Sequence, residues 1–343
     1  MSNNRLPIFT TSIVLLAMLV FSSCRNTSRT LPTATGSIYE CVVVCSDDVY
    51  RDLVSPTMAA DMPCLPQMEP YFHLSHVTAA LFDDFLKSAR NVLVVETDPT
   101  LPQVKALYSR DWWSKPQAVC RIKTPDQQAL AAWWQEYGEA VRTWFVREEL
   151  SRQVRFLKGG TNKDARAALR QNMQCDMLIP EDYMLIRDST DLIWCCNNKG
   201  PMRRDLIIYR YPYTDTLQFT YDALCQKRDA VLGQVVTASL PGSYMGTEYR
   251  IFPPQMQSIR PLQDTLSTSS FYAYEMRGLW RIMQGEAMGG PFVSHTRLDP
   301  VNGQIITAEV FIYAAGQKKR NALRQAEAIL YTLQLPDELS SHP

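Results

Sequence analysis

The strongest constraint on the fold is a change in the pattern of apolar residues at Lys158-Gly159-Gly160. Before it, short apolar runs at residues 39–45, 91–95 and 117–122 alternate with segments of helical periodicity, among them a helix predicted over residues 101–109. This alternation is typical of a largely parallel sheet covered by helices. After it, apolar strands follow one another and end in a hairpin predicted over residues 292–313. We therefore predict an α/β domain over residues 37–158 and an α+β domain over residues 161–335, the second with an antiparallel sheet and packed helices.

The clearest helix signal in the chain begins at Thr124. The segment Thr124-Pro125-Asp126-Gln127 combines an N-cap residue, a proline at the first helical position and a glutamine that completes a capping box. Apolar side chains then recur at helical spacing at Leu130, Trp133, Trp134, Tyr137, Val141, Trp144 and Phe145. Such a stripe could line a ligand groove, but core packing is its more common use. We therefore expect Trp133 or Trp134 to point into the core.

Residues 1–23 have the layout of a secretory signal peptide. Arg5 supplies a positive charge, residues 8–20 are apolar, and Ser22-Ser23 precede Cys24. The apolar run of about 13 residues gives roughly 20 Å of helix, against a hydrocarbon core of about 30 Å. The segment resembles a lipobox, which implies that Cys24 is lipidated on its thiol and acylated on its new amino terminus. Ordinary secretory cleavage and an uncleaved anchor are the alternatives, and residues 24–36 are predicted to form a tether.

Charge and cysteine usage disfavour two classes of function. The chain has 35 Lys and Arg and 35 Asp and Glu, so removal of Arg5 with the signal leaves a net charge of −1. Proteins that bind nucleic acid usually carry a basic face, so no nucleic-acid partner is expected. The nine cysteines include no C-x-x-C pair, which disfavours redox and zinc-ribbon sites. Most of them lie in apolar runs and are expected to be buried.

Several segments of the chain, together with the lipobox, resemble one family. They are Tyr39 to Asp48, Pro70-Tyr71-Phe72, Arg90-Asn91-Val92-Leu93-Val94-Val95, Met288-Gly289-Gly290-Pro291-Phe292-Val293-Ser294, Lys319-Arg320-Asn321 and Gln325-Ala326-Glu327-Ala328-Ile329-Leu330. This combination resembles an uncharacterised family of Gram-negative envelope lipoproteins catalogued as domain of unknown function 4837. The resemblance covers nearly the whole chain after Cys24. It implies an envelope address and offers no catalytic residues to carry over.

Acidic residues follow two of the predicted strands in the first half. Asp47 and Asp48 follow the first strand, and Glu96 and Asp98 follow the third. Ligands usually bind at the carboxyl ends of parallel strands, so adjacent strands would let these carboxylates hold Mg²⁺ or Ca²⁺. The favoured alternative is that they cap helices and interact with helix dipoles, in which case no metal is bound. No glycine-rich phosphate loop or dinucleotide motif is present, so no cofactor is expected.

A basic cluster opens the last predicted helix. It consists of Lys318, Lys319, Arg320 and Arg324. Cations at a helix start oppose the dipole by about 0.3 to 1 kcal/mol each, and Arg320 and Arg324 repel each other at i, i+4. An anionic partner would relieve both costs, which makes the cluster a candidate anion-binding site for lipid headgroups, lipopolysaccharide or glycan phosphates. Solvated or locally paired charge is the alternative, since Glu327 can reach Arg324.

These patterns predict a lipid-anchored protein on the periplasmic face of the outer membrane, with the inner membrane as the alternative. The periplasmic face is favoured because Arg25-Asn26-Thr27-Ser28 lacks the acidic cluster associated with surface export in similar lipoproteins. Membrane lipid is the expected partner through Cys24, and an envelope protein, a glycan or an anionic lipid are further candidates. We expect binding or scaffolding and no catalysis. The alternatives are a cation-dependent hydrolase that uses the acids at the strand edge, and a structural assembly partner.

Overall fold

The chain folds into two sheets that share one long helix. The structure, a computed structural model, describes residues 30–262 and 272–340. The predicted signal peptide, the lipidation site Cys24 and the first part of the predicted tether lie outside the described residues. Of the helices in the described part, none has the length and apolar character needed to cross a membrane.

The first sheet is built from the N-terminal part of the chain. Its strands are β1 (Glu40–Val44), β2 (His73–Val77), β3 (Asn91–Thr97), β4 (Lys105–Arg110) and β5 (Ala118–Thr124). They lie in the order β2-β1-β3-β5-β4, and every pair is parallel except β4 with β5. The apolar runs predicted to be strands form the centre of this sheet, where β1, β3 and β5 are mostly buried.

Short helical segments and one long helix accompany this sheet. The helices are α1 (Asp47–Val49), α2 (Ser55–Met58), α3 (Asp84–Lys87) and α4 (Gln127–Leu157). A π-helical turn at Tyr50–Val54 joins α1 to α2, and a 3-10 turn lies at Ala79–Leu81. The long helix α4 follows β5 directly.

The second sheet is antiparallel and has eight strands. They are β6 (Met184–Ser189), β7 (Leu192–Asn197), β8 (Arg203–Pro212), β9 (Tyr244–Glu248), β10 (Gln255–Ser258), β11 (Ala273–Met283), β12 (Gly289–Asp299) and β13 (Gln304–Tyr313). The order is β10-β11-β12-β13-β8-β7-β6, and β9 pairs with β11. Around it lie α5 (Lys163–Met173), α6 (Tyr221–Val235), α7 (Arg320–Leu330) and α8 (Pro336–Ser340). The predicted fold class, α/β followed by α+β, is confirmed.

One hydrophobic core extends through both halves of the chain. Phe145 and Leu150 of α4 belong to it, together with Leu93 of the first sheet, Val310 of the second and Leu323 of α7. The packing of α4 against α7 is therefore what joins the halves, and it buries apolar side chains from each.

Two local predictions were wrong. Residues 101–109 were predicted to be helical, but β4 (Lys105–Arg110) is an edge strand that pairs antiparallel with β5, with Ala106 opposite Ile122 and Tyr108 opposite Cys120. The long helix was expected to begin at Thr124, but Thr124 still pairs with Thr97 in the sheet. Asp126 is the N-cap instead, and its carboxylate accepts a hydrogen bond from the backbone N–H of Ala129 at 2.7 Å.

The predicted tether is shorter than residues 24–36. Its described part runs along the first sheet and makes backbone hydrogen bonds there, from Ala34 N to Lys115 O at 3.0 Å and from Thr35 N to Ser88 O at 2.9 Å. An extended chain beside an unpaired strand end finds partners for its N–H and C=O groups, which explains why this part is not free.

The eight cysteines within the described residues are all buried and unpaired. Burial raises the pKa of most of their thiols, for example to about 12 at Cys120 and Cys175. These side chains act as small apolar groups in the core, as their apolar surroundings in the sequence predicted.

The aromatic stripe of α4 is divided between the core and the surface. Trp134 is 5% exposed, and its indole N–H donates to Thr57 Oγ1 at 2.9 Å. Gly138 leaves room for it, because a Cβ there would lie 2.7 Å from the indole nitrogen. Tyr137, in contrast, is 42% exposed. The expectation that one of the two tryptophans points inward is confirmed for Trp134.

We expect Trp134→Ala to lower the free energy of unfolding by about 3 to 5 kcal/mol, because it leaves a cavity in the core and removes the hydrogen bond from the indole to the Thr57 hydroxyl. Urea denaturation of the purified chain measures this. Tyr137→Ala on the same helix is the matched control and should cost far less. Equal losses in the two variants would contradict the packing described for this helix.

Candidate functional sites

The first candidate site lies where the order of strands in the first sheet reverses. The chain passes from β1 to β2 on one side and then returns to β3 on the other side of β1. β1 and β3 are adjacent and parallel, with Val42 opposite Val92 and Val44 opposite Val94. In open α/β sheets, ligands bind outside the carboxyl ends of the strands at such a topological switch point.

A cavity of about 760 Å³ opens at this point, and we call it the switch-point cavity. Its floor is apolar and includes Val49, Val95 and Leu130. Its rim is polar and consists of Ser46, Thr78, Glu96, Thr97, Asp98, Lys123, Thr124 and Gln127. An apolar floor with a few polar groups around it, in a volume between about 300 and 1,000 Å³, is typical of small-molecule sites.

Of the four acids predicted at this edge, Glu96 and Asp98 line the switch-point cavity, and Asp47 and Asp48 do not. Each has its own polar partner: Asp47 lies 3.8 Å from His76, Asp48 2.8 Å from Arg51, Glu96 3.7 Å from Arg121, and Asp98 2.6 Å from the Thr100 hydroxyl. Hydrogen bonds from Thr100 lower the pKa of Asp98. Among residues 30–262 and 272–340, no three His, Cys, Asp or Glu side chains are grouped so that they could hold a metal ion.

The basic cluster at the start of α7 differs from its prediction, because the chain itself supplies the anion. The Glu69 carboxylate accepts the backbone N–H of Lys319 at 2.6 Å and that of Arg320 at 3.2 Å. Lys319 and Arg320 are only 4% and 3% exposed, and Lys318 alone of the cluster is fully at the surface. Glu69 therefore occupies the helix end at which an external anion was expected.

The fourth predicted residue, Arg324, lies in a second cavity. This cavity, of about 430 Å³, is bounded by α4 on one side and by β10, β11 and α7 on the other. Five arginines line it: Arg142, Arg147, Arg260, Arg277 and Arg324. We call it the arginine cleft. Two glutamates, Glu275 and Glu327, and two tyrosines, Tyr71 and Tyr331, complete its charged and aromatic lining.

A buried ionic network forms the base of the arginine cleft. Arg277 donates to Glu275 at 2.6 Å and also pairs with Glu327. Glu327 accepts in addition from Arg324 at 2.9 Å. His295 lies 3.2 Å from Glu275, so the network reaches β12. Charges buried this deeply are costly unless they are paired, and here each glutamate contacts an arginine.

The network sets the acidity of its members. Burial alone would raise the pKa of the Glu275 carboxyl, but the Arg277 guanidinium and His295 outweigh it and hold that pKa well below its usual range. Burial and the nearby Glu275 and Glu327 carboxylates raise the pKa of Tyr331 well above its usual range. Glu275 is therefore ionised, and Tyr331 is neutral, at neutral pH.

Tyr39, at the start of β1, is held in a strained conformation beside this network. Its φ is +59°, in the left-handed region that non-glycine residues seldom adopt. The side chain is 1% exposed, and the guanidinium groups of Arg320 and Arg324 lie 5.7 and 5.9 Å from the centre of its ring. Such strain persists only where surrounding contacts fix the residue, and here they come from both halves of the chain.

No pattern in the sequence predicted the arginine cleft. Arg142 and Arg147 stand in a helix whose aromatic residues dominated the pattern, and Arg260 and Arg277 lie in the second half of the chain. The available signal was that α4 carries four arginines, at positions 142, 147, 152 and 155. That signal does not indicate which residues of the second half face α4.

Two family models match successive parts of the chain. Residues 162–332 match the model described as Domain of unknown function (DUF4837), and residues 34–158 match the model described as Domain of unknown function (DUF8532). The first of these is the family that the sequence segments resembled.

Two solved structures are similar to part of the chain. The Saccharomyces cerevisiae Ran-binding protein Mog1p aligns with a TM-score of 0.30 and 8% identity, over 47% of this chain and 90% of its own. A mutant of protein Mog1 aligns with a TM-score of 0.29 and 8% identity, again over 47% and 90%. Both TM-scores are too low to indicate a shared fold. No curated protein matches the chain.

The ionised state of Glu275 predicts how stability depends on pH. The pKa of the Glu275 carboxyl is lower in the folded chain than its ordinary value of 4.5. As the pH falls below about 4.5, the unfolded chain therefore binds more protons at this carboxyl than the folded chain does. The stabilisation is present above about pH 4.5 and is lost as the pH falls towards the folded pKa. Glu275→Gln should therefore have a lower free energy of unfolding at neutral pH than the unchanged chain. Its free energy of unfolding should also change less as the pH falls.

Urea denaturation between about pH 7 and about pH 3 measures this difference. The control is Glu139→Gln, because the Glu139 side chain is 83% exposed and should change the pH profile little. Parallel pH profiles for the unchanged chain and Glu275→Gln would contradict the assignment of a lowered pKa.

Proposed function

Residues 162–332 make this chain a member of the DUF4837 family, and we propose that it is a lipid-anchored protein of the cell envelope that acts by binding. In this proposal Cys24 carries the lipid, the chain from residue 37 onward faces the periplasm, and the outer membrane holds the anchor. The ligand is an envelope glycan that enters the switch-point cavity.

The anchor is supported by the sequence before residue 25. A single basic residue, an apolar run of about 13 residues and small side chains before Cys24 are the features by which lipoprotein precursors are recognised. A run of this length is short for a membrane-spanning helix, which favours cleavage over retention as an anchor.

The observation that carries the binding role is the position of the switch-point cavity. It lies at the carboxyl ends of β1 and β3, where the strand order reverses, and has a volume of about 760 Å³. Ligands of many unrelated α/β proteins bind at this position, because loops from adjacent strands diverge there and leave a crevice. The acids at the rim are paired individually, so this geometry favours binding over a cation-dependent hydrolase.

The lining of the cavity favours a saccharide as its ligand. A sugar ring has hydroxyl groups around its edge and an apolar face of C–H groups. The rim offers the hydroxyls of Ser46, Thr78 and Thr97 together with the carboxylates of Glu96 and Asp98, and the floor is apolar. Carboxylates accept strong hydrogen bonds from hydroxyl donors, which is how a neutral polyol can be held without an opposite charge.

The lipid anchor is tested by Cys24→Ser. This change should abolish thiol acylation and move the protein from the membrane fraction to the soluble periplasmic fraction, provided that the precursor is still processed. Intact-mass analysis and cell fractionation measure the two effects. An unmodified and uncleaved amino terminus in the unchanged chain would rule out the anchor, and Ser23→Ala is the control that should leave it in place.

The binding role is tested by filling the switch-point cavity. Ala79 is exposed and lines the cavity, so Ala79→Trp should block it without disturbing the core. Binding of a soluble, neutral oligosaccharide of N-acetylglucosamine, measured by calorimetry, should be lost. Ala140→Trp is the matched control, since Ala140 is also exposed but lies on α4 outside the cavity lining.

Two results would count against this proposal. If Ala79→Trp binds the oligosaccharide as well as Ala140→Trp does, the ligand does not use the cavity. If Mg²⁺ or Ca²⁺ raises the melting temperature and Asp98→Asn removes that rise, the edge holds a cation and the hydrolase alternative gains support, because a ligand that binds only the native state raises its apparent stability.

A further inference from the structure

We infer that the arginine cleft is a second binding site, separate from the switch-point cavity, and that it takes a ligand carrying phosphate groups. The charge, the geometry and the position of the residues that line the cleft all favour such a ligand. This second site does not depend on the glycan proposal, because none of the residues lining the arginine cleft lines the switch-point cavity.

The cleft carries an excess of positive charge. Five arginines and two glutamates line it, and the glutamates already pair with Arg277 and Arg324 at its base. Arg142, Arg147 and Arg260 stand beyond this paired base. A phosphate monoester carries about −1.5 to −2 charges at neutral pH, which offsets this excess better than a single carboxylate does.

Arg142 is held in position at the wall of the cleft. It donates to the Thr57 carbonyl at 3.0 Å, and its guanidinium lies 4.3 Å from the centre of the Tyr71 ring. The acid nearest to it is Glu139 at 3.3 Å, whose side chain is 83% exposed and therefore screened by solvent. A guanidinium has five N–H donors, so these contacts leave some of them for a ligand.

Arg147 connects the two sides of the cleft. Its guanidinium donates to the backbone carbonyls of Arg260, at 3.1 Å, and of Pro261. These contacts bind α4 to the segment after β10, in which Arg260 lines the cleft. Carbonyl oxygens do not neutralise a guanidinium, so Arg147 keeps its full charge. Because these groups are already fixed, the protein loses less conformational entropy when a ligand binds.

The geometry of these arginines favours phosphate over a less symmetric anion. Guanidinium groups bind phosphate oxygens in pairs of parallel N–H···O bonds, and a phosphate offers three oxygens to donors from different directions. Here the donors come from α4 on one side and from the second sheet on the other. A cleft of about 430 Å³ with low-dielectric walls also strengthens the attraction.

Two sources share this chemistry, a phosphorylated glycan and a phospholipid headgroup. The test uses the full chain carrying Cys24→Ser, so that no acyl chain contributes to membrane binding. The probes are inorganic phosphate, a disaccharide phosphate monoester, and vesicles of phosphatidylcholine with or without phosphatidic acid, whose headgroup is a phosphate monoester. Calorimetry measures the soluble probes, and co-sedimentation measures the vesicles.

Arg260→Gln is the principal variant, because Arg260 is exposed and its removal should not disturb folding. It should weaken binding by about tenfold or more, the effect of losing one charge-assisted hydrogen bond. Arg260→Lys should fall between it and the unchanged chain, because lysine keeps the charge but lacks the planar donor pair. Arg142→Gln, on the opposite wall, should weaken the same probe.

Arg187→Gln is the matched control, since Arg187 is exposed on β6 and lies outside the cleft. If the phosphorylated disaccharide binds, and only the cleft variants weaken that binding, the result supports the inference and assigns a glycan phosphate. Binding confined to vesicles that contain phosphatidic acid, with the same dependence on Arg260, supports it and assigns a headgroup. Absence of binding to every probe, or equal weakening by Arg187→Gln and Arg260→Gln, would overturn it.

Discussion

The buried carboxylate of Glu149 is the interaction on which the rest of the arrangement depends. It lies on α4 and is fully buried, and it contacts Arg90 at 2.8 Å, Arg152 at 2.9 Å and the Asn91 amide at 2.7 Å. Asn91 begins β3, so this contact fixes the later turns of α4 to the amino ends of the parallel strands. Removing one partner of a buried charge pair typically costs about 3 to 5 kcal/mol, because it leaves an uncompensated charge in the core. The orientation of α4 is therefore set by this charge as well as by apolar packing.

The orientation of α4 places the two candidate sites at different parts of one helix. Its first turns begin at the carboxyl end of β5, so Gln127 and Leu130 line the switch-point cavity. Its middle turns carry Arg142 and Arg147 into the arginine cleft. Phe145 and Leu150, on its inner face, belong to the core that continues into α7. One helix, α4, thus lines both the switch-point cavity and the arginine cleft.

The fold class could be predicted from the sequence because it depends on local patterns, whereas the candidate sites depend on distant contacts. Alternation of strands and helices indicated the parallel sheet, and the hairpin ending in β13 was visible from its turn residues. The edge strand β4 was missed because six residues with two inward side chains also suit a helix. The partner of the α7 amino end could not be predicted, since Glu69 precedes Lys319 by 250 residues and nothing local links them. Likewise, Arg147 and Arg260 meet only because α4 packs across the chain.

The nearly neutral composition conceals two sites of opposite chemical character. Counts of charge over the whole chain describe solubility and long-range attraction, and here they are balanced. The balance is not local, because the rim of the switch-point cavity contains two carboxylates with one lysine, while the arginine cleft contains five arginines with two glutamates. A neutral hydroxyl ligand suits the first and a phosphate suits the second. Since salt screens the attraction of a charged ligand far more than that of a neutral one, the ionic strength of the solution should separate binding at the two sites.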